Sequence, residues 1–314
     1  MPVNCLTCME LKNGIGIISA PSILGLKPGG VQELGKSLLK AGFADKLNAI
    51  LPETEVPDLN RYYSRVKDTT GCLNSALIRE YSENLMKAVA TEVSQKKFTV
   101  VLGGDCSVLI GIMPALKSLG SYGLIYMDGH ADFYSPKQSV TGEVADMGLA
   151  IVTGRGPSVL TNINRLKPYV KEENVIHIGQ RDEEETIRYG SEDIRSSNIS
   201  CFDFKSIVNL GIHTITDAVT QYAGRLNVDG FWIHFDTDVL ADEINPAVDY
   251  RLPGGLLFEE AEYLVRSLAL TRKVSGISIS IFNPVMDHTG KIAHDITNCL
   301  ARALSPIASG SVTF

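Results

Sequence analysis

Short apolar runs alternate along this chain with longer stretches in which apolar residues recur every three or four positions. The runs at 16–20, 98–102, 122–127, 175–178, 230–235 and 274–281 are rich in Val, Ile and aromatic residues and are bounded by Gly, Pro or Asp, which marks them as strands. Between them the helical period predicts helices over 31–43, 74–95, 107–118, 215–224, 258–271 and 288–304. In the second of these, Leu77, Tyr81, Leu85, Val89 and Val93 fall on one face. Strands that are apolar at nearly every position are buried on both sides, and their alternation with helices predicts a parallel sheet covered by helices on both faces. No repeat, low-complexity tract or linker interrupts the pattern, so one α/β domain over residues 1–314 is expected, with 1–13 as a polar tail. The segment 134–157, rich in Gly, Ser, Thr and Pro, follows a strand and reads as a long loop over a site.

Composition narrows the function. The 314 residues are 44% hydrophobic and 21% charged, an ordinary globular balance with enough apolar surface for a sizeable core. A formal net charge of −7 without any Lys/Arg run speaks against nucleic acid or an acidic membrane as partner. No apolar run reaches the roughly 18 residues needed to span a bilayer, and the first residues lack a basic region followed by an apolar one. A cytoplasmic protein acting on a small molecule is the expectation. Six cysteines (Cys5, Cys8, Cys72, Cys106, Cys201 and Cys299) are scattered and do not form a disulfide framework. Cys5 and Cys8 make a lone CxxC without a second ligand pair and read as two tail thiols.

Candidate chemistry gathers where ligands bind in an open α/β sheet, at the carboxyl ends of strands. Gly103-Gly104-Asp105-Cys106-Ser107 follows FTVVLG, Asp128-Gly129-His130-Ala131-Asp132 follows YGLIYM, and Asp236-Thr237-Asp238 ends GFWIHF. Buried carboxylates repel one another and lose hydration, so they are tolerated only when paired or when they coordinate a cation. Asp-x-His-x-Asp and Asp-x-Asp have period-2 spacing, which turns alternate side chains into one pocket. Four carboxylates and one imidazole suit two divalent ions such as Mn²⁺. His234 shares a strand face with Asp236 and Asp238 and is a candidate partner behind the metal ligands; a satisfied core histidine fits the same position.

GGDCS, DGHADF and FDTDVLAD resemble the three metal-binding motifs of the arginase family, which includes agmatinases and formiminoglutamases. IISAPSILGLKPGGVQELGKSLLKAGF is similar to that family's opening strand, loop and helix, and SGISISIFNP to its last core strand. The resemblance runs from about residue 14 to 305. It implies a three-layer αβα fold with a mainly parallel sheet of about eight strands, a trimer or hexamer, and two Mn²⁺ ions activating a hydroxide that attacks a guanidinium or amidine carbon. Carried over residue by residue, Asp128 and Asp236 would bridge both ions. Cys106 and Asp132 would complete one shell, and His130 and Asp238 the other. Asp132 would also orient the hydroxide.

Three positions depart from the family pattern. Cys106 stands where the family carries His; a thiolate is softer than an imidazole and turns this position towards Zn²⁺ or Fe²⁺. Ile281 replaces a guanidinium-holding Glu, and Leu257 a nearby Ser or Thr. Thr141-Gly142-Glu143-Val144-Ala145 replaces a loop carrying a proton-shuttling His, leaving Glu143 as the nearest candidate for acid/base work. Glu184 matches an acidic residue that contacts the substrate's amino group, or else decorates a helix N-terminus. The expected function is a dinuclear-metal hydrolase of a linear guanidino or amidino C–N bond, inefficient on free L-arginine, with a neutral or modified amidine as one substrate class. The alternative is a non-catalytic or metal-poor binding protein of the same fold.

Overall fold

The computed structural model describes residues 14–49 and 56–309. The expected tail 1–13, with Cys5 and Cys8, lies outside these residues. Among these residues seven strands form one sheet in the order β1-β2-β7-β6-β3-β4-β5, every neighbouring pair parallel: β1 Ile15–Ser19, β2 Phe98–Leu102, β3 Tyr122–Met127, β4 Val175–Ile178, β5 Ser200–Phe202, β6 Gly230–Asp236 and β7 Val274–Ser280. Eleven α-helices surround it among the described residues: α1 Leu34–Lys40, α2 Phe43–Leu47, α3 Ser75–Ser94, α4 Leu109–Leu119, α5 Gly148–Val152, α6 Ser158–Thr161, α7 Glu183–Arg188, α8 Phe204–Leu210, α9 Ile212–Arg225, α10 Phe258–Leu270 and α11 Lys291–Ala308.

Strand alternation divides the core into two layers. In β6, Phe231, Ile233 and Phe235 face one side, where they pack with Leu38, Val219, Leu264 and Leu300 of the helices α1, α9, α10 and α11. Trp232 faces the other side with Tyr126 of β3, against Leu85 of α3 and Ile112 of α4. His234 and Asp236 share the Trp232 side by the same alternation. Three layers result, as the pattern of all-apolar strands predicts.

Differences from the sequence reading have local causes. Residues 31–43 form no single helix: a 3₁₀ turn leads into α1, and Gly42, at φ 87°, breaks the chain before α2. The expected strand 274–281 stops at Ser280, because Ile281 takes φ 71° and leaves the sheet. Gly211, also left-handed at φ 82°, separates α8 from α9, so the helix expected at 215–224 starts at Ile212. The loop expected over 134–157 contains a 3₁₀ turn at Val144–Met147 and α5. The short, half-buried edge strand β5 has no counterpart in the sequence reading.

Candidate metal centre

The carboxyl ends of β2, β3, β6 and β7 converge on one cavity of about 240 Å³. After β2 the chain turns so tightly that a Cβ on Gly104 would lie 1.9 Å from the Ser22 carbonyl oxygen, which explains why glycine stands there. Asp105 does not face the cavity. Its carboxylate accepts hydrogen bonds from Ser107 N at 2.8 Å and Gly25 N at 3.1 Å, and so caps the turn that presents Cys106. Cys106 is buried, with Sγ 2.8 Å from Asp236 Oδ2 and 3.3 Å from Ser280 Oγ.

The residues after β3 and β6 are tied to each other. Asp128 Oδ1 accepts from His130 N at 2.6 Å, Asp238 Oδ1 from Gly129 N at 3.0 Å, and Asp236 Oδ1 from Asp238 N at 2.8 Å. His130 Nδ1 lies 2.8 Å from Asp238 Oδ2. The five residues Asp128–Asp132 are not in a strand, so period-2 alternation is not what aims them. A turn does so, closed by Asp132 in the left-handed region at φ 47°. Among the described residues, ligand atoms gather in two groups, the atoms of each lying within 4.8 Å of one another: Cys106, Asp128, His234 and Asp236 in one, Asp128, His130 and Asp238 in the other. Asp132 is in neither; it lines the same cavity and its carboxylate accepts a hydrogen bond from Tyr126.

The electrostatics report a site short of positive charge. Burial, then Asp238, pushes Asp128 up to about 7. Burial and neighbouring carboxylates hold Asp132 and Asp236 well above the usual range, and burial followed by Asp236 raises the Cys106 thiol. Burial also raises Asp238, but the His130 imidazole outweighs it and holds that carboxyl below its ordinary value. Asp128 Oδ2 is buried and accepts no hydrogen bond among the described residues. A buried carboxylate oxygen left without a donor is costly unless a cation meets it.

Other residues expected at the site fall on both sides of the line. Glu143 is buried at the cavity wall and accepts a hydrogen bond from Tyr250 Oη at 2.7 Å; burial raises its carboxyl. Ile281 and Ala145 line the cavity and pack with Leu26 as an apolar wall. Leu257 does not reach the cavity: it precedes α10 as its N-cap, half exposed, so its side chain has no part in shaping the pocket. Glu184 is exposed in the first turn of α7, where the helix dipole favours it, while its neighbours Asp182 and Glu185 line the cavity instead. Asp182 is buried and accepts from Ala131 N at 3.1 Å. The signal available for it was its place just after β4, another strand carboxyl end.

Asp146, also on the cavity wall, is pushed up to about 7 by burial, its Oδ1 without a partner among the described residues, while Ser139 donates to Oδ2 at 2.7 Å. A carboxyl raised in the fold favours the folded state fully only below its unfolded value of about 4, and that stabilisation is lost as pH rises through about 7. Asp146→Asn keeps an acceptor for Ser139 and carries no charge. Thermal unfolding of the metal-free protein is expected to show the variant gaining on wild type by on the order of 1–3 kcal/mol between pH 5 and pH 8. A constant difference across that range would contradict the assignment.

Comparison with known proteins places this geometry. The family model described as "Arginase family" matches residues 46–305. The arginase of Staphylococcus aureus (strain MRSA252) is 30% identical over 295 residues, covering 91% of this chain and 95% of that protein. The arginase of Bacillus subtilis (strain 168) is 27% identical over 292 residues, covering 91% and 97%. The solved structure of arginase from Bacillus caldovelox superposes with a TM-score of 0.83 at 25% identity, covering 93% of this chain and 98% of that one. The fold, the strand-end motifs and these matches together make the chain a member of the arginase family.

Proposed function

We propose that this chain is a hydrolase of linear guanidino or amidino C–N bonds that works with two divalent cations, Mn²⁺ being the ion the family resemblance implies. The observation that carries this reading is the bare, buried Oδ2 of Asp128, set among donors of two ligand groups that share Asp128. The residues fit such a pair: Asp128 and, as the resemblance implies, Asp236 would be shared by the ions, Cys106 would help to hold one, and His130 and Asp238 the other. When bound, two cations lower the pKa of water so that hydroxide is available near neutral pH.

The chain's own residues supply the rest. Asp132 is assigned the orienting of the attacking water rather than a ligand's part, because Tyr126 holds its carboxylate in the cavity. Glu143, with its raised carboxyl, is positioned by Tyr250 to carry the proton to the leaving amine. The apolar wall of Ile281, Ala145 and Leu26 admits a reacting end that needs no carboxylate clamp. Asp182 and Glu185, which also line the cavity, suit a positively charged far end.

Stripping the protein with a chelator and adding back Mn²⁺ tests the function. Release of urea or ammonia from a panel of linear amidines is expected to stop on stripping and return on reconstitution. No release from any of them by fully loaded protein would contradict the reading. A narrower test concerns Cys106. Imidazole suits Mn²⁺ better than thiolate does, so Cys106→His is expected to tighten Mn²⁺ binding by roughly tenfold or more in a titration of metal-free protein. Unchanged Mn²⁺ affinity would mean that residue 106 touches no metal.

A further inference from the structure

The family's imidazole is missing at position 106, yet a buried imidazole stands two strands away, on β6. His234 pairs in register with Tyr126 of β3 and Ser278 of β7, and Asp236 with Ser280. His234 therefore lies in the layer of side chains directly beneath Asp128, Asp236 and Ser280. Resting on the reading of the site as a metal centre, we propose that His234 is a direct ligand of the ion on the Cys106 side. Cys106, His234, Asp128 and Asp236 then form a thiolate–imidazole–carboxylate set that takes Zn²⁺ or Fe²⁺ in preference to Mn²⁺.

Geometry supports the set. One donor atom from each of the four residues lies within 4.8 Å of the other three, and all four residues are buried. Donors around a tetrahedral Zn²⁺, at bond lengths of about 2.0–2.3 Å, stand somewhat closer than that, so a small contraction completes the shell.

The ring is oriented as a ligand's ring must be. His234 Nδ1 lies 2.8 Å from Ser278 Oγ, and Trp232 Nε1 donates to the same oxygen at 3.0 Å. Two lone pairs let Ser278 Oγ accept both N–H groups. With the proton on Nδ1, Nε2 offers its lone pair to an ion, the arrangement in which a ligating histidine donates its other N–H to an oxygen. Nε2 faces Ser280 Oγ at 3.3 Å, and Ser280 Oγ is itself 3.3 Å from Cys106 Sγ. The hydroxyl thus sits between the two donors. Tyr126 stacks on the imidazole at 4.9 Å between centroids and fixes its plane. A core histidine satisfied by two serines would account for the serine bonds; what sets His234 apart is its grouping with the donor atoms of Cys106, Asp128 and Asp236. Softness then sets the metal: one sulfur and one imidazole move a carboxylate site from Mn²⁺ towards Zn²⁺ or Fe²⁺.

The test uses the full, metal-free chain titrated with Co²⁺, Zn²⁺ and Mn²⁺. Wild type is expected to develop a thiolate-to-cobalt charge-transfer band that Zn²⁺ bleaches and Mn²⁺ does not. His234→Phe, which keeps a ring against Tyr126, is expected to weaken Zn²⁺ at this position by at least about tenfold and to shift the cobalt ligand-field bands, with Mn²⁺ binding on the Asp238 side retained. Should that variant fail to fold, zinc-edge X-ray absorption on wild type loaded with one equivalent decides: sulfur and imidazole around the same ion support the proposal, and sulfur without imidazole overturns it. Equal Zn²⁺ affinity and an unchanged cobalt spectrum in His234→Phe would also overturn it. Failure of the underlying reading looks different, since wild type would then bind none of the three ions, and the proposal would fall with it.

Discussion

Asp128→Ala is expected to remove metal-dependent hydrolysis, lowering turnover by roughly a thousandfold or more, and Asp236→Ala to do the same. Asp128 belongs to both groups of ligand atoms, so its loss takes a donor from both at once. Asp236 joins the groups from the other side: its Oδ2 meets Cys106 and its Oδ1 caps the turn that carries Asp238. The loss should come without loss of fold. Asp128 is pushed up to about 7, so at pH 8 its charge works against the metal-free fold, and the alanine variant is expected to be at least as stable as wild type when both are stripped. Adding Mn²⁺ should raise the melting temperature of wild type and leave both variants unchanged. Full activity in either variant would refute the assignment of the site.

Free L-arginine is expected to be a poor substrate. A guanidinium is permanently charged, and the wall beside Cys106 offers it Ile281, Ala145 and Leu26. Each unpaired buried polar partner costs on the order of 1–3 kcal/mol, and more when charged. Two such losses amount to a few orders of magnitude in rate, at tenfold for each ~1.4 kcal/mol. Urea release from arginine, agmatine and guanidinobutyrate by Mn²⁺-loaded protein, measured side by side, checks this. Arginine turnover at the tens per second of a working enzyme would contradict it. The acidic wall of Asp182, Glu185 and Asp146 would then be holding the guanidinium itself.

What the sequence made legible follows from burial. β2, β3 and β4 begin and end where the apolar runs do, because both faces of each are covered and a Gly or polar residue ends each run. The edge strand β5 buries no side chain fully, so its three residues carry no apolar signature. Cys106, Asp128, His130, Asp236 and Asp238 were readable for a similar reason: packing alone rarely puts several charged or ligating residues directly behind apolar strands, where burying them is costly. The cavity's outer wall was not readable in the same way. Tyr250 comes to Glu143 from 107 residues away, and Asp182 meets Ala131 across 51, contacts that only the tertiary fold creates. Leu257 misled because it adjoins the Gly254-Gly255 turn, yet the chain has already turned outward to begin α10. Ile281 looked like a strand's last residue, since nothing in an isoleucine announces a left-handed backbone.

A paired-metal site at the strand ends is tested most directly by metal content. Stripped protein dialysed to equilibrium against Mn²⁺ or Zn²⁺ and analysed by mass spectrometry of the elements should retain about two ions per chain in wild type and markedly fewer in Asp128→Ala. Wild type that retains no ion from either bath would contradict a paired-metal site and leave the chain a metal-free member of the arginase family.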